Sequence, residues 1–190
     1  MTFKAERFAS ASFNFGLAAL FVAVGSPLIA LGQHEAHDQV FSPKLVQIVR
    51  EATAQYVDVN NAAAAGYGPV LGCVSGPDHG AMGVHYVNGN LINGQTLLSG
   101  QNLDPAKPQA LIYEPQPNGE MKLVAVEFII LAGALPPNPA PQVEGHLMQF
   151  IDTPNRYGLP ALFELHVWAW KDNPQGSFVD WNNHVSCDSQ

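Results

Sequence analysis

Hydrophobic and polar positions alternate along residues 161–170, ALFELHVWAW. In a strand, Phe163, Leu165 and Val167 project to one side, and Leu162, Glu164, His166, Trp168 and Trp170 to the other. The β-branched and aromatic content favours a strand over a helix. Residues 122–131, KLVAVEFIIL, are apolar on both faces, with Glu127 placed among Leu123, Ala125 and Ile129. That pattern predicts a central strand and a buried carboxylate, which needs a cation, a metal, hydrogen-bond donors or its own proton. Residues 110–114 and 122–131 flank PQPNGEM and predict an antiparallel hairpin turning at Asn118-Gly119. In GVHYV, residues 83–87, a glycine that permits close backbone approach precedes His85. Residues 144–152 alternate as a further strand, with Glu144, His146, Met148 and Phe150 on one side.

Helical spacing is confined to the region before residue 66. Ser42 and Pro43 suit a cap and a first turn, and Leu45, Ile48, Val49, Ala52, Tyr56 and Val59 form an apolar stripe. Asp58 or Asn60 interrupts and recaps the helix, and Gly66 ends it. Beyond it, Asn88-Gly89 and Asn93-Gly94 read as turns. The proline-rich residues 135–145 are either a lid or a stiff connector. In the tail, Phe178, Trp181, His184 and Cys187 are expected to pack back on the sheet. No repeat or linker divides the chain. The expectation is one α+β domain at 33–190, its N-terminal helix packed on a mainly antiparallel β-sheet or partly closed β-barrel.

Composition narrows the function. Of 190 residues 13% are charged and the net charge is -8, with no basic cluster after the N-terminus. Phosphate neutralisation, and so nucleic-acid binding, is excluded on that ground. Residues 1–32 carry Lys4 and Arg7, an apolar run and a small-residue site at Ala30 and Gly32, the layout of a signal peptide. An uncleaved anchor is the alternative; after cleavage no stable membrane insertion is expected. Export to the periplasm or the extracellular space permits a disulfide. Cys73 and Cys187 then have one intramolecular pairing, worth roughly 4–5 kcal/mol for so long a loop. Free thiols serving as metal ligands are the alternative.

The ordered motifs ATAxYxDV with GY (residues 52–59, 66–67), GxHYxN (83–88), LxYEP (111–115), LxxVEF (123–128), LHxWxW (165–170) and NPxGxF (173–178) resemble a family of exported bacterial proteins without an assigned activity. The resemblance covers nearly all of the chain after the signal segment. It implies a shared fold and a shared site at His85, Glu127 and His166, and no reaction.

Three strands each carry one such polar residue, and the expectation is that His85, Glu127 and His166 meet. Two imidazoles and a carboxylate suit a divalent transition metal: zinc, copper, iron or manganese. The three are scattered and have no HExxH-type spacing, so separately satisfied core residues are the competing reading. His146 and His184 are reserve imidazoles, Glu114 and Glu164 reserve carboxylates, and His34 and His37 a loose cluster or a solvated terminus. No GxSxG elbow or phosphate-binding glycine loop is present. Three functions stay open: a metal-binding protein, a metal-dependent enzyme using the same site, and a metal-free module for a small apolar ligand with Tyr86, Phe128, Trp168 and Trp170 as walls. The sequence does not decide on catalysis or oligomeric state.

Overall fold

The apolar stripe after Pro43 forms α1, Lys44–Thr53, which tightens into a 3-10 turn at Ala54–Val57 and restarts as α2, Val59–Ala64. Asp58 is the break: its carboxylate accepts the Asn60 backbone N–H at 2.9 Å and caps α2. Gly66, at φ +92°, leaves the helix through the left-handed region that glycine enters freely. This is a computed structural model, and it describes residues 43–93, 103–134 and 140–190, all within one compact unit. Residues 1–32, expected to be a signal peptide, the expected His34 and His37 cluster, Ser42, Gly94 and residues 135–139 of the proline-rich stretch lie outside the described residues. Among the described residues, no helix is long and apolar enough to cross a membrane.

The strands are β1 Gly68–Pro69, β2 Val74–Gly76, β3 Gly80–Val87, β4 Ala110–Pro115, β5 Met121–Leu131, β6 Gln142–Val143, β7 His146–Leu147, β8 Gln149–Ile151 and β9 Leu162–Val167, with a short helix α3, Gly89–Asn93, after β3. Seven form one antiparallel sheet in the order β1-β3-β4-β5-β9-β8, with β2 on β3; β6 and β7 pair separately. Among the described residues the sheet does not close, so the architecture they show is a helix-covered, mainly antiparallel sheet, and the barrel alternative is unconfirmed. The β4–β5 hairpin turns at Asn118-Gly119 as the sequence predicts, with Gly119 at φ +82°.

Four expectations need correction. Asn88-Gly89 is not a hairpin turn: the Asn88 side chain accepts the Asn90 N–H at 3.1 Å and starts α3. Residues 144–152 are not one strand, because Glu144 and Gly145 both take positive φ and fold β6 onto β7 before β8 joins β9. On α1, Val46 and Thr53 are buried with Leu45 and Val49 in place of Ile48 and Ala52. Thr53 tolerates this because its hydroxyl donates to the Val49 carbonyl at 2.7 Å and accepts the Trp170 indole N–H at 2.9 Å. Finally, the β4–β5 register shifts after Ile112, so Leu123 and Val124 exchange the faces that simple alternation assigns them.

The two faces of the sheet carry different cores. Leu111, Tyr113, Val126, Phe128, Ile130, Leu165 and Val167 pack with Leu45, Val46 and Val49 of α1. Burying each of these helix side chains contributes about 1.5–3 kcal/mol before entropy is counted. The other face holds Ala81, Ile112, Ala125 and Trp168 near the tail residue Val185, and Ala110, Ile129 and Leu162 further along. The tail is tied there by reciprocal Ala81–Asn182 backbone hydrogen bonds and by the Cys73–Cys187 disulfide, which links residues 114 apart. Inside β3, Gly83 stands at φ +114°, and a Cβ there would lie 2.7 Å from the Tyr113 carbonyl oxygen.

Candidate metal centre

The antiparallel register builds the site on the face away from α1. Val87, Ala110, Glu127 and His166 form one row across β3, β4, β5 and β9, each the direct partner of the next. His85 is two residues before Val87 and so shares its face. On β4, between His85 and Glu127, Ile112 is the direct partner of His85 and Ala110 that of Glu127, and the small Ala110 side chain leaves room for the imidazole to reach across. His85 Nε2 lies 3.6 Å from Glu127 Oε2. The His85 and His166 rings are 5.7 Å apart and nearly perpendicular, at 85°. One ligating atom from each of His85, Glu127 and His166 falls within 4.8 Å of the others, and all three residues are buried. Donors sharing a transition metal at about 2.1 Å stand roughly 3–4 Å apart, so a trio within 4.8 Å could hold an ion after a modest approach of its side chains.

The polar bookkeeping of the site is incomplete. Neither nitrogen of His166 has a hydrogen-bond partner, and His85 Nδ1 has none of good geometry. Burial pushes His85 down to about 4, against a small opposing pull from the Gly83 backbone. Burial, then the neighbouring His85, holds His166 well below its ordinary value. Both rings are therefore neutral at neutral pH and present the lone pair a metal needs. Glu127 is driven the other way: burial first, then a hydrogen bond to the Glu164 carboxyl, raise it well above the ordinary value. Such groups shed the proton when a cation arrives.

A second overlapping group, Glu164, His166 and Asp180, lies beside the first. Asp180 Oδ1 is 3.7 Å from His166 Nδ1, and Gln149 donates to Asp180 Oδ2 at 3.4 Å. Burial raises both Glu164 and Asp180. The sequence points to Glu164 only as a reserve and misses Asp180, which sits in a tail without periodicity; its one signal is an acid inside the apolar run SFVDW.

The other expected residues are placed elsewhere. Glu114 accepts two hydrogen bonds from Lys171 Nζ, at 2.7 and 2.8 Å, and one from the Ser186 N–H. His146 stacks on Phe178 with ring centres 4.1 Å apart, and His184 is exposed. Cys73 and Cys187 are bonded to each other, so neither is a thiolate ligand. The four aromatic walls do not enclose one pocket. Tyr86, Phe128 and Trp170 belong to the helix-side core, whereas Trp168 packs on the opposite face. The strand ends at Val167, so alternation stops there and Trp170 turns toward α1, where Arg50 lies 6.0 Å from its ring centre. Trp168 does flank the site, stacked 6.5 Å from the His166 ring, with its indole N–H bonded to the Val179 carbonyl.

A cavity of about 130 Å³ adjoins the trio, between the sheet face and residues 157–160. Its walls are aliphatic, among them Val87, Ile92, Ile129, Leu131, Leu159 and Leu162, and its ionisable lining is His85, Glu127, Glu164 and Tyr157. Two larger depressions, near Pro69–Gly72 and near Val57–Asn60, include none of His85, Glu127 and His166, though Tyr86 lines the first. Set against known proteins, the chain matches no protein-family model, no curated protein and no solved structure.

Proposed function

We propose that this is an exported protein that binds one divalent transition metal through His85, Glu127 and His166. The observation that carries the reading is the buried trio itself, with donor atoms within 4.8 Å and an imidazole, His166, that makes no hydrogen bond through either nitrogen. Leaving such groups unsatisfied in a dry interior costs about 1–3 kcal/mol each, a cost that ligation removes. Two neutral imidazoles and a carboxylate suit zinc, copper, iron or manganese, and Glu164 and Asp180 are at hand to complete or orient the set. The disulfide and the signal-like residues 1–32 support a periplasmic or extracellular location. The resemblance to exported bacterial proteins points the same way. The cavity beside the trio favours a second reading, in which one coordination position faces a substrate and the metal is catalytic.

Elemental analysis tests the proposal. The protein is purified without a metal-binding tag and reconstituted in turn with zinc, copper, iron(II) and manganese. Close to one ion per chain is expected, lost in both His85→Ala and His166→Ala while circular dichroism shows the fold intact. An unmodified protein that takes up none of the four ions refutes the reading.

A further inference from the structure

We propose that the cavity beside the trio binds a small uncharged organic molecule with an apolar body and a single hydroxyl, its oxygen directed at the wall formed by His85, Glu127 and Glu164. The volume is the first argument. At about 130 Å³ the space is far larger than the voids a packed interior leaves, and close to the roughly 150 Å³ of an apolar cavity that admits benzene. The lining is the second. Branched aliphatic side chains from β3, α3, β5, β9 and residues 151–160 make up most of the wall. They offer an apolar body burial and a polar one nothing.

The head group follows from what the polar wall lacks. His85 is 93% buried and its Nδ1 has no good hydrogen bond. Glu127 and Glu164 line the same cavity with His85 and offer it carboxyl oxygens. A hydroxyl both donates and accepts, so it can meet an imidazole nitrogen or a carboxyl oxygen without adding charge. A carboxylate ligand would add a further acidic group beside Glu127 and Glu164. An ammonium ligand would face the divalent ion, and in this respect the assignment rests on the metal reading. With the ion in place, a hydroxyl oxygen is also a donor able to complete its coordination.

Calorimetric titration of the full-length, metal-loaded protein with phenol, benzene, benzoate and benzylamine tests this. Phenol is expected to bind one per chain, at least tenfold tighter than the other three. Filling the cavity should weaken phenol more than tenfold at unchanged metal content. Ile129→Trp does so from the central strand, and Leu159→Trp from the loop if the strand variant does not fold. Phenol binding no tighter than benzene, a preference for either charged probe, or unchanged affinity in Leu159→Trp overturns the assignment. If the protein takes phenol but no metal, the metal reading falls and the cavity assignment stands. One metal per chain without phenol binding removes the cavity assignment alone.

Discussion

Glu127 and His166 are direct partners across β5 and β9, and Glu164, two residues before His166, shares a hydrogen bond with Glu127. A bond between two carboxyls requires a proton. Burial first, then Glu164, raises the Glu127 carboxyl well above its ordinary value, so it keeps a proton to higher pH than an exposed carboxyl does. A metal bound at this site would have to compete with that proton.

Without metal, that proton sets a pH dependence. Glu127 holds it to higher pH in the fold than in the unfolded chain, so its contribution to stability is present below about 4.5 and lost as pH rises through the folded value. The histidines run oppositely. Their contribution is present above about 6.5 and lost as pH falls, for His85 through about 4. Glu127→Gln removes the first slope alone. In urea denaturation of metal-free protein it should be more stable than wild type at pH 8, by on the order of 1 kcal/mol or more, at about 1.4 kcal/mol per unit of displaced titration. The two should converge near pH 4.5. A less stable variant at pH 8 would mean that Glu127 is well accommodated as an anion.

Trp168 gives the centre an optical reporter. It stacks on His166, whereas Trp170 lies on the far side of the sheet. Copper(II) should quench tryptophan emission in the wild type; Trp168→Phe should remove most of the quenching and Trp170→Phe should keep it. The Trp170 variant should instead lose about 1 kcal/mol of stability through its missing bond to Thr53. Quenching that survives in Trp168→Phe would put the ion elsewhere.

Gly83 couples backbone to site. Gly83→Ala sets a Cβ against the Tyr113 carbonyl at positive φ, two residues from His85, and should cost about 2 kcal/mol or more. Metal affinity should fall at least tenfold with it. Gly119→Ala is the control: φ is positive there too, but nothing lies within 4 Å, so a cost near 1 kcal/mol with unchanged metal binding is expected.

Glu114 separates a structural carboxylate from the proposed ligand Glu127. Glu114→Ala leaves the part-buried Lys171 ammonium and the Ser186 N–H without their partner and should cost about 2–3 kcal/mol by denaturant titration. Metal content should not change. A variant that loses metal at an unperturbed fold would bring Glu114 into the site.

The parts of the fold legible in sequence are those governed by local periodicity. Lone polar residues inside apolar strands point to His85, Glu127 and His166, because alternation decides which face a strand residue takes. Asp58, Gly66 and Asn118-Gly119 likewise act through their own neighbours. What was not legible depends on distant pairing. The shift at Val124 leaves no trace in composition, and the break after Val167 puts Trp168 and Trp170 on opposite faces. Asp180 reaches His166 only because the tail is tied down. The cavity walls come from elements as separate as Val70, Ile92, Ile129 and Leu159, which no window of sequence holds together.

The Cys73–Cys187 bridge closes a ring that contains every strand from β2 to β9, along with the segment that walls the cavity. A protease that cuts once inside this ring opens it without releasing a fragment. The strand β9 and the tail stay tethered to β2 and can settle back as an intramolecular event. A chain built this way is scarred by a nick rather than dismantled, and the scar becomes visible only after reduction.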